Sequence, residues 1–201
     1  SATALTGIDT DTTITTLALG SVTGPGALDV NDLAGGLAVT LAQTANGTVT
    51  LNANGGDLAI TTVTAGGAGS TAALSTTGAG NITLGQVTAL DDLVTLTSAG
   101  AITDTNGALA NVSAANLVAL APLGVGTAPD PIEATVARVE GFGGAGGFFL
   151  TDLAGGLTIG GVGPTVGVSA TTGNIASAAL SPRTAEENGT TAGAISLAAG
   201  E

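Results

Sequence analysis

Along this chain apolar side chains alternate with small or polar ones in short runs, and each run is opened by a turn residue. The clearest are Gly36-Leu37-Ala38-Val39-Thr40, Gly47-Thr48-Val49-Thr50-Leu51, Gly56-Asp57-Leu58-Ala59-Ile60-Thr61, Gly80-Asn81-Ile82-Thr83-Leu84, Asp92-Leu93-Val94-Thr95-Leu96-Thr97 and Gly100-Ala101-Ile102-Thr103. Later copies are Gly156-Leu157-Thr158-Ile159, Gly173-Asn174-Ile175-Ala176-Ser177 and Gly193-Ala194-Ile195-Ser196-Leu197. Alternation of this length, rich in β-branched residues and bounded by Gly, Asn or Asp, predicts short half-buried strands. Neighbouring copies are spaced about 9 to 12 residues apart, which suits a repeated strand-and-turn unit and not a helix.

Two architectures answer to that repeat: an antiparallel β-sandwich array, or a parallel solenoid in which like strands stack on like strands. Four features favour the solenoid. Inward positions are Leu, Ile, Val and Ala throughout, as a narrow coil of stacked rows requires. Outward positions carry Thr, Ser and Asn, which can hydrogen-bond along the axis as ladders. Tight Asn-Gly turns between matched strands are few, with Asn46-Gly47 and Asn106-Gly107 the exceptions. Gly and Ala dominate the connections, where chain must turn with neighbours only ~4.8 Å above and below. The prediction is an all-β, right-handed parallel β-helix. It has roughly 20 to 25 residues per coil, about eight to ten coils, and a length of about 40 to 50 Å.

One stretch breaks the pattern. From Ala128 to Gly141 the sequence predicts a short helix, with Asp130 as N-cap, Pro131 at the first helical position, Glu133 at the third and Gly141 just past the end. Ile132, Val136 and Val139 would share one face and pack on the solenoid. The domain reading is one β-helical segment over 1–201, with a helix-containing insert at about 128–141, taken from a larger exported protein. The opening Ser1-Ala2-Thr3, in a sequence without Met, fits such a segment.

Composition then narrows the function classes. With 44% hydrophobic and 8% charged residues the chain is too apolar for disorder. Only Phe142, Phe148 and Phe149 are aromatic, so the core must be built from many small layers. Net charge is −13, and Arg138 and Arg183 are the only cations. No patch can neutralise a phosphate backbone, which excludes nucleic acid as a partner, and anionic lipid is disfavoured for the same reason. No run approaches the ~18 consecutive apolar residues of a membrane-spanning helix. The absence of Cys removes disulfides and thiolate metal sites. Two arginines and no lysine leave a trypsin-like protease little to cut, which suits an extracellular setting.

The series Gly80-Asn81-Ile82-Thr83-Leu84, Asp92 to Asp104, Gly124-Val125-Gly126-Thr127, Pro131-Ile132-Glu133 and Gly173-Asn174-Ile175 resembles the repeats of filamentous-haemagglutinin-like adhesins and related giant bacterial exoproteins. The likeness spans about residues 36 to 200. The block from Gly124 to Gly163, with Gly147-Phe148-Phe149-Leu150-Thr151-Asp152, looks like a more particular unit of these chains. The resemblance implies a long right-handed β-helix exported to the cell surface, acting in adhesion, aggregation and biofilm.

Chemistry has little to work with. The chain lacks His, Cys, Lys and Tyr, leaving only carboxylates for acid, base or nucleophile, and no catalytic residue is predicted. Asp91-Asp92 and Glu186-Glu187 are adjacent pairs, but neighbours on a strand point to opposite faces, unlike the facing carboxyls of a glycosidase. Asp9 and Asp11 share one strand face and are calcium candidates, short of a third and fourth ligand. Ca²⁺ at subunit interfaces would also relieve the self-repulsion of a −13 rod. The threonine pairs Thr12-Thr13, Thr15-Thr16, Thr61-Thr62, Thr76-Thr77 and Thr171-Thr172 are too irregularly spaced for a flat ice-binding array. Sequons at Asn46, Asn81, Asn111 and Asn188 matter only in a host that glycosylates them.

Two structural readings follow. The first is the shaft of a surface adhesin or matrix fibre, contacting a host or matrix surface. The second is a self-assembling filament or sheath subunit that stacks end to end. The strand-like Gly193 to Leu197, with no polar cap after it, predicts continuation in the same chain or the next subunit. A carbohydrate-binding module ranks behind both, for want of aromatic platforms.

Overall fold

Each strand finds its backbone partner one coil further along a common axis, and every strand pair among the described residues is parallel. The computed structural model describes residues 1–163, 167–177, 180–182 and 195–199. Their strands form one 20-stranded sheet wound into a β-helix of about eight turns. At ~4.8 Å per turn the rod is about 40 Å long. The parallel register rules out the antiparallel sandwich, because hairpin-linked strands would pair with opposite sense.

Stacked rows of identical or similar side chains make the core. One row runs Leu37, Leu58, Ile82, Ile102, Val125, Phe148. A second runs Leu28, Val49, Ala72, Val94, Leu117, Val139, Ile159, and beside it lies Val30, Leu51, Leu74, Leu96, Ala119, Gly141, Val168. A third face contributes Ala42, Val63, Val87, Val112 and Ala134. All of these apolar side chains are buried. Burying each Leu, Ile or Val contributes about 1.5–3 kcal/mol, and the coils repeat that gain. The lone large anchor is Phe148, whose ring is accommodated because Gly141 opposite it has no side chain.

Corners hold the rows in register. At one corner Gly36, Gly56 and Gly80 back on to one another; Gly80, at φ 110°, leaves no room for a β-carbon beside Gly56 O. Buried hydroxyls finish other corners. Thr76 Oγ1 donates to Gly80 O at 3.0 Å and accepts from Ala99 N at 2.9 Å, and Ser98 Oγ donates to Ala101 O at 2.9 Å. Outside, the predicted polar ladder is present. Asn31 Nδ2 donates to Asp11 Oδ1 and Asn52 Nδ2 to Asn31 Oδ1, both at 2.8 Å, while Ser75 Oγ donates to Asn52 Oδ1 at 2.9 Å.

The expected helix at 130–140 is not formed. Ile132–Thr135 and Arg138–Gly144 are strands, and Asp130 belongs to a tight turn in which Thr127 N donates to Asp130 O at 2.8 Å and Asp130 N to Thr127 O at 3.2 Å. A helix of this length is marginal alone. Extended, the same backbone pairs with Val112–Leu120 below and with Phe148–Asp152 and Leu157–Ile159 above. Ile132, Val136 and Val139 are buried, as their helical spacing also required, because strand alternation restarts after Val136. There is thus no helical insert at 128–141. Near the end, Ile195–Ala199 is a strand, as the alternation there predicts, and pairs with Gly173–Ser177, while Gly193 and Ala194 lie outside the described residues.

Candidate functional site

Three polar regions stand out from the repeating core. The first is the lateral face of the first coils. The strand Ile8–Thr12 lies beneath Leu28–Asp32, setting Asp9 beside Asp29 and Asp11 beside Asn31. Partial burial, then the neighbouring charges of Asp9 and Asp11, pushes the Asp29 carboxyl up from its ordinary value. Asp9 and Asp11 do share an outward face, as expected, and Asp11 is tied into the amide ladder by Asn31. Among the described residues no group of three or more His, Cys, Asp or Glu is arranged to hold a metal ion.

The second region is a shallow lateral groove. Two contiguous depressions, of about 240 and 320 Å³, share Ile60, Thr61 and Thr105 and run past Ala38, Ala59 and Thr83 to Gln86 and Asn106. Small outward residues produce the dent: Ala38 stacks on Ala59, and only then do Thr83 and Thr103 follow in the same column. Hydroxyls and amides share the walls with aliphatic side chains such as Leu109, without an aromatic or a cation. Such a lining can hydrogen-bond an extended polar chain but offers no stacking platform. The broken column is also not a flat threonine rank, and within the pair Thr76-Thr77 one member is buried and the other exposed.

The third region was not foreseen. Asp104 stands above Leu84 in an inward row, and chain leaves the coil there through Asn106 to return at Asn111. Asp104 Oδ1 accepts from Asn106 N at 2.7 Å and from Asn111 Nδ2, whose amide also reaches Leu84 O, Gly85 O and Asn106 Oδ1 at 3.1–3.3 Å. Glu133 N donates to Asn111 Oδ1 at 2.9 Å, which fixes the orientation of that amide. Glu133 is only 8% exposed, and its Oε2 is buried without a partner. Burial first, then the charge of Asp104, pushes the Glu133 carboxyl up; its own N–H pulls it back and Asp130 adds to the rise. Two carboxyls approach here, but inside a corner closed to a substrate.

Other carboxylates act on backbone. Glu140 receives Val162 N at 2.7 Å and Gly163 N at 2.6 Å, so it holds the excursion after Ile159 against the face of Arg138–Gly144. Asp91, at φ 66°, turns a corner where the register of Ile82–Thr97 against Val112–Leu120 shifts. Asp92 follows it at that corner. Glu186, Glu187, Arg183 and the sequon at Asn188 lie outside the described residues. Of the remaining sequons, Asn46 is exposed, Asn81 is engaged by Asp57 and Ala101 N, and Asn111 is fully buried. No helix among the described residues is long and apolar enough to cross a membrane.

Burial of Asp104 and Glu133 carries no local sequence signal, because it depends on which coil lies above and below. Compared with protein-family models, curated proteins and solved structures, the chain matches none.

Proposed function

We propose that this chain is the shaft of an exported bacterial surface adhesin or matrix fibre, with a structural and adhesive role and no enzymatic one. The observation that carries the reading is the single sheet in which every described pair is parallel, so that added coils lengthen a rod without altering its cross-section. The core is spent on small aliphatic rows, the lateral surface on hydroxyls, amides and carboxylates. Such a shaft separates a binding tip from the cell, and its likeness to filamentous-haemagglutinin-type repeats points the same way. The extracellular setting and a host or matrix surface as partner belong to this reading.

A second reading is a self-assembling filament or sheath subunit: every described strand pair is parallel and stacked along one axis, so copies of the chain stacked end to end would continue the same coil.

Electron microscopy of native material, purified from its source without denaturation, tests both. Unpolymerised rods much longer than ~40 Å support the shaft. Filaments with an axial repeat near one chain length support the assembling subunit. Compact globular particles would overturn both readings.

A further inference from the structure

The hexapeptide Asp-Leu-Ala-Gly-Gly-Leu occurs twice, at Asp32 to Leu37 and at Asp152 to Leu157. In both copies the Asp ends a strand, is buried, and opens a corner. Their carboxyls meet opposite fates. Asp152 Oδ1 accepts from Val136 N and Ala154 N, each at 3.4 Å, and Oδ2 accepts from Ser177 Oγ at 2.9 Å. Ser177 lies in the next coil, one position past the paired Thr151 and Ala176. Asp32 has Ala53 in that place, which supplies no donor. Asp32 is 0% exposed, and neither of its oxygens has a hydrogen-bond partner.

The column above Asp32 shows what the position requires. It continues through Ala53 to Thr76, and the hydroxyl there donates to the carbonyl of the residue four further on, Gly80. A carboxylate cannot donate; a carboxylic acid can. We propose that Asp32 is folded in as the neutral acid, standing in for a hydroxyl, and that its ionisation loosens the corner from Leu33 to Gly36 and the first coils it joins.

Burial pushes the Asp32 carboxyl up, and the Gly36 N–H opposes this without closing a hydrogen bond. The side chains around Asp32 shut out water. The charged groups around it are all acidic: Asp9 and Asp11 from the strand below, Asp29 on its own strand, and Asp57 at the corner that backs on to Gly36. The strands Leu37–Asn46 and Val49–Asn54 carry no titratable side chain. Among the described residues no cationic side chain is near enough to hold Asp32 as an anion, since Arg138 lies coils away.

The linkage has a definite sign. A carboxyl whose folded value is raised contributes stability fully below its ordinary 3.8 and loses it as pH rises through the folded value. The first coils should therefore tighten in acid. The test is a residue-assigned ¹³C carboxyl titration of the full chain, with hydrogen exchange of residues 33–36, for the parent and for D32N and A53S. The parent midpoint should lie above 3.8. D32N, which cannot ionise and can still donate, should exchange more slowly than the parent above that midpoint and alike below it. A53S, which gives Asp32 the donor that Ser177 gives Asp152, should lower the midpoint even if D32N fails to fold. A parent midpoint at or below 3.8, or one that A53S leaves unmoved, overturns the proposal.

Discussion

The ring of Phe148 fills the space that a side chain on Gly141 would occupy: a β-carbon built on Gly141 collides with Phe148 Cε2 and lies 2.5 Å from Ala119 O. Phe148 is stacked on Val125, and Gly141 on Ala119. The one fully buried aromatic therefore exists by courtesy of the glycine across from it.

Replacing Gly141 by Ala should destabilise by about 1–3 kcal/mol through overpacking, and Phe148→Ala by about 3–5 kcal/mol through the cavity left behind. The double variant G141A/F148A should cost less than the sum of its parts, with a coupling above about 0.5 kcal/mol. Denaturant unfolding of the four chains measures this; strict additivity would show that the two residues do not share space.

Asn52 gives one hydrogen bond to Asn31 and receives two, from Ser75 and from Thr77 Oγ1 at 2.6 Å. Asn52→Ala should cost about 1–3 kcal/mol, more than a surface substitution elsewhere on the same face. Thermal unfolding followed by circular dichroism reads the loss, and an unchanged midpoint would mean that the ladder is decoration.

The acid response should extend beyond the first coils. Glu133, its carboxyl pushed above the ordinary 4.5 by burial and by Asp104, contributes stability that is complete below 4.5 and lost as pH rises through its folded value. The parent should melt at a lower temperature at pH 8 than at about pH 5, and E133Q should narrow that gap. A parent that melts lower at acid pH would contradict the assignment.

Much of this architecture could be read from the residues themselves. Alternation at Leu58-Ala59-Ile60 or Ile82-Thr83-Leu84 reports an inward row directly, because the strand period is two wherever the strand lies. The run from Asp130 to Gly141 has a helix-like sequence yet forms strands because its capping residues are equally good turn residues, and the spacing of Ile132, Val136 and Val139 fits either a helix or an interrupted strand. What decides is the supply of unpaired backbone in the coils above and below, which no local window contains. The calcium candidates Asp9 and Asp11 lie on a common face as expected, yet the corner acids Asp32, Asp104 and Glu133 escaped notice. Whether each finds a donor depends on one stacked neighbour, Ala53 or Ser177 for instance, about a coil away. For Asp32 alone the sequence holds a signal, the repetition of Asp-Leu-Ala-Gly-Gly-Leu at Asp32 and Asp152.

Asp91 is the one non-glycine with positive φ among the described residues. Asp91→Val should cost about 1–2 kcal/mol, since a β-branched residue tolerates that backbone poorly, while Asp91→Gly should stay within about 1 kcal/mol of the parent. Equal effects of the two, measured by the same melts, would place the strain elsewhere.

Leu58 rests on Leu37 and carries Ile82 in the same row. Excising residues 58–81 would thus lower Ile82 on to Leu37 with its neighbours still matched, and shorten the rod by one rise. A gene that gains or drops such a unit rescales its product in fixed graduations, so that length itself becomes a trait selection can adjust one notch at a time.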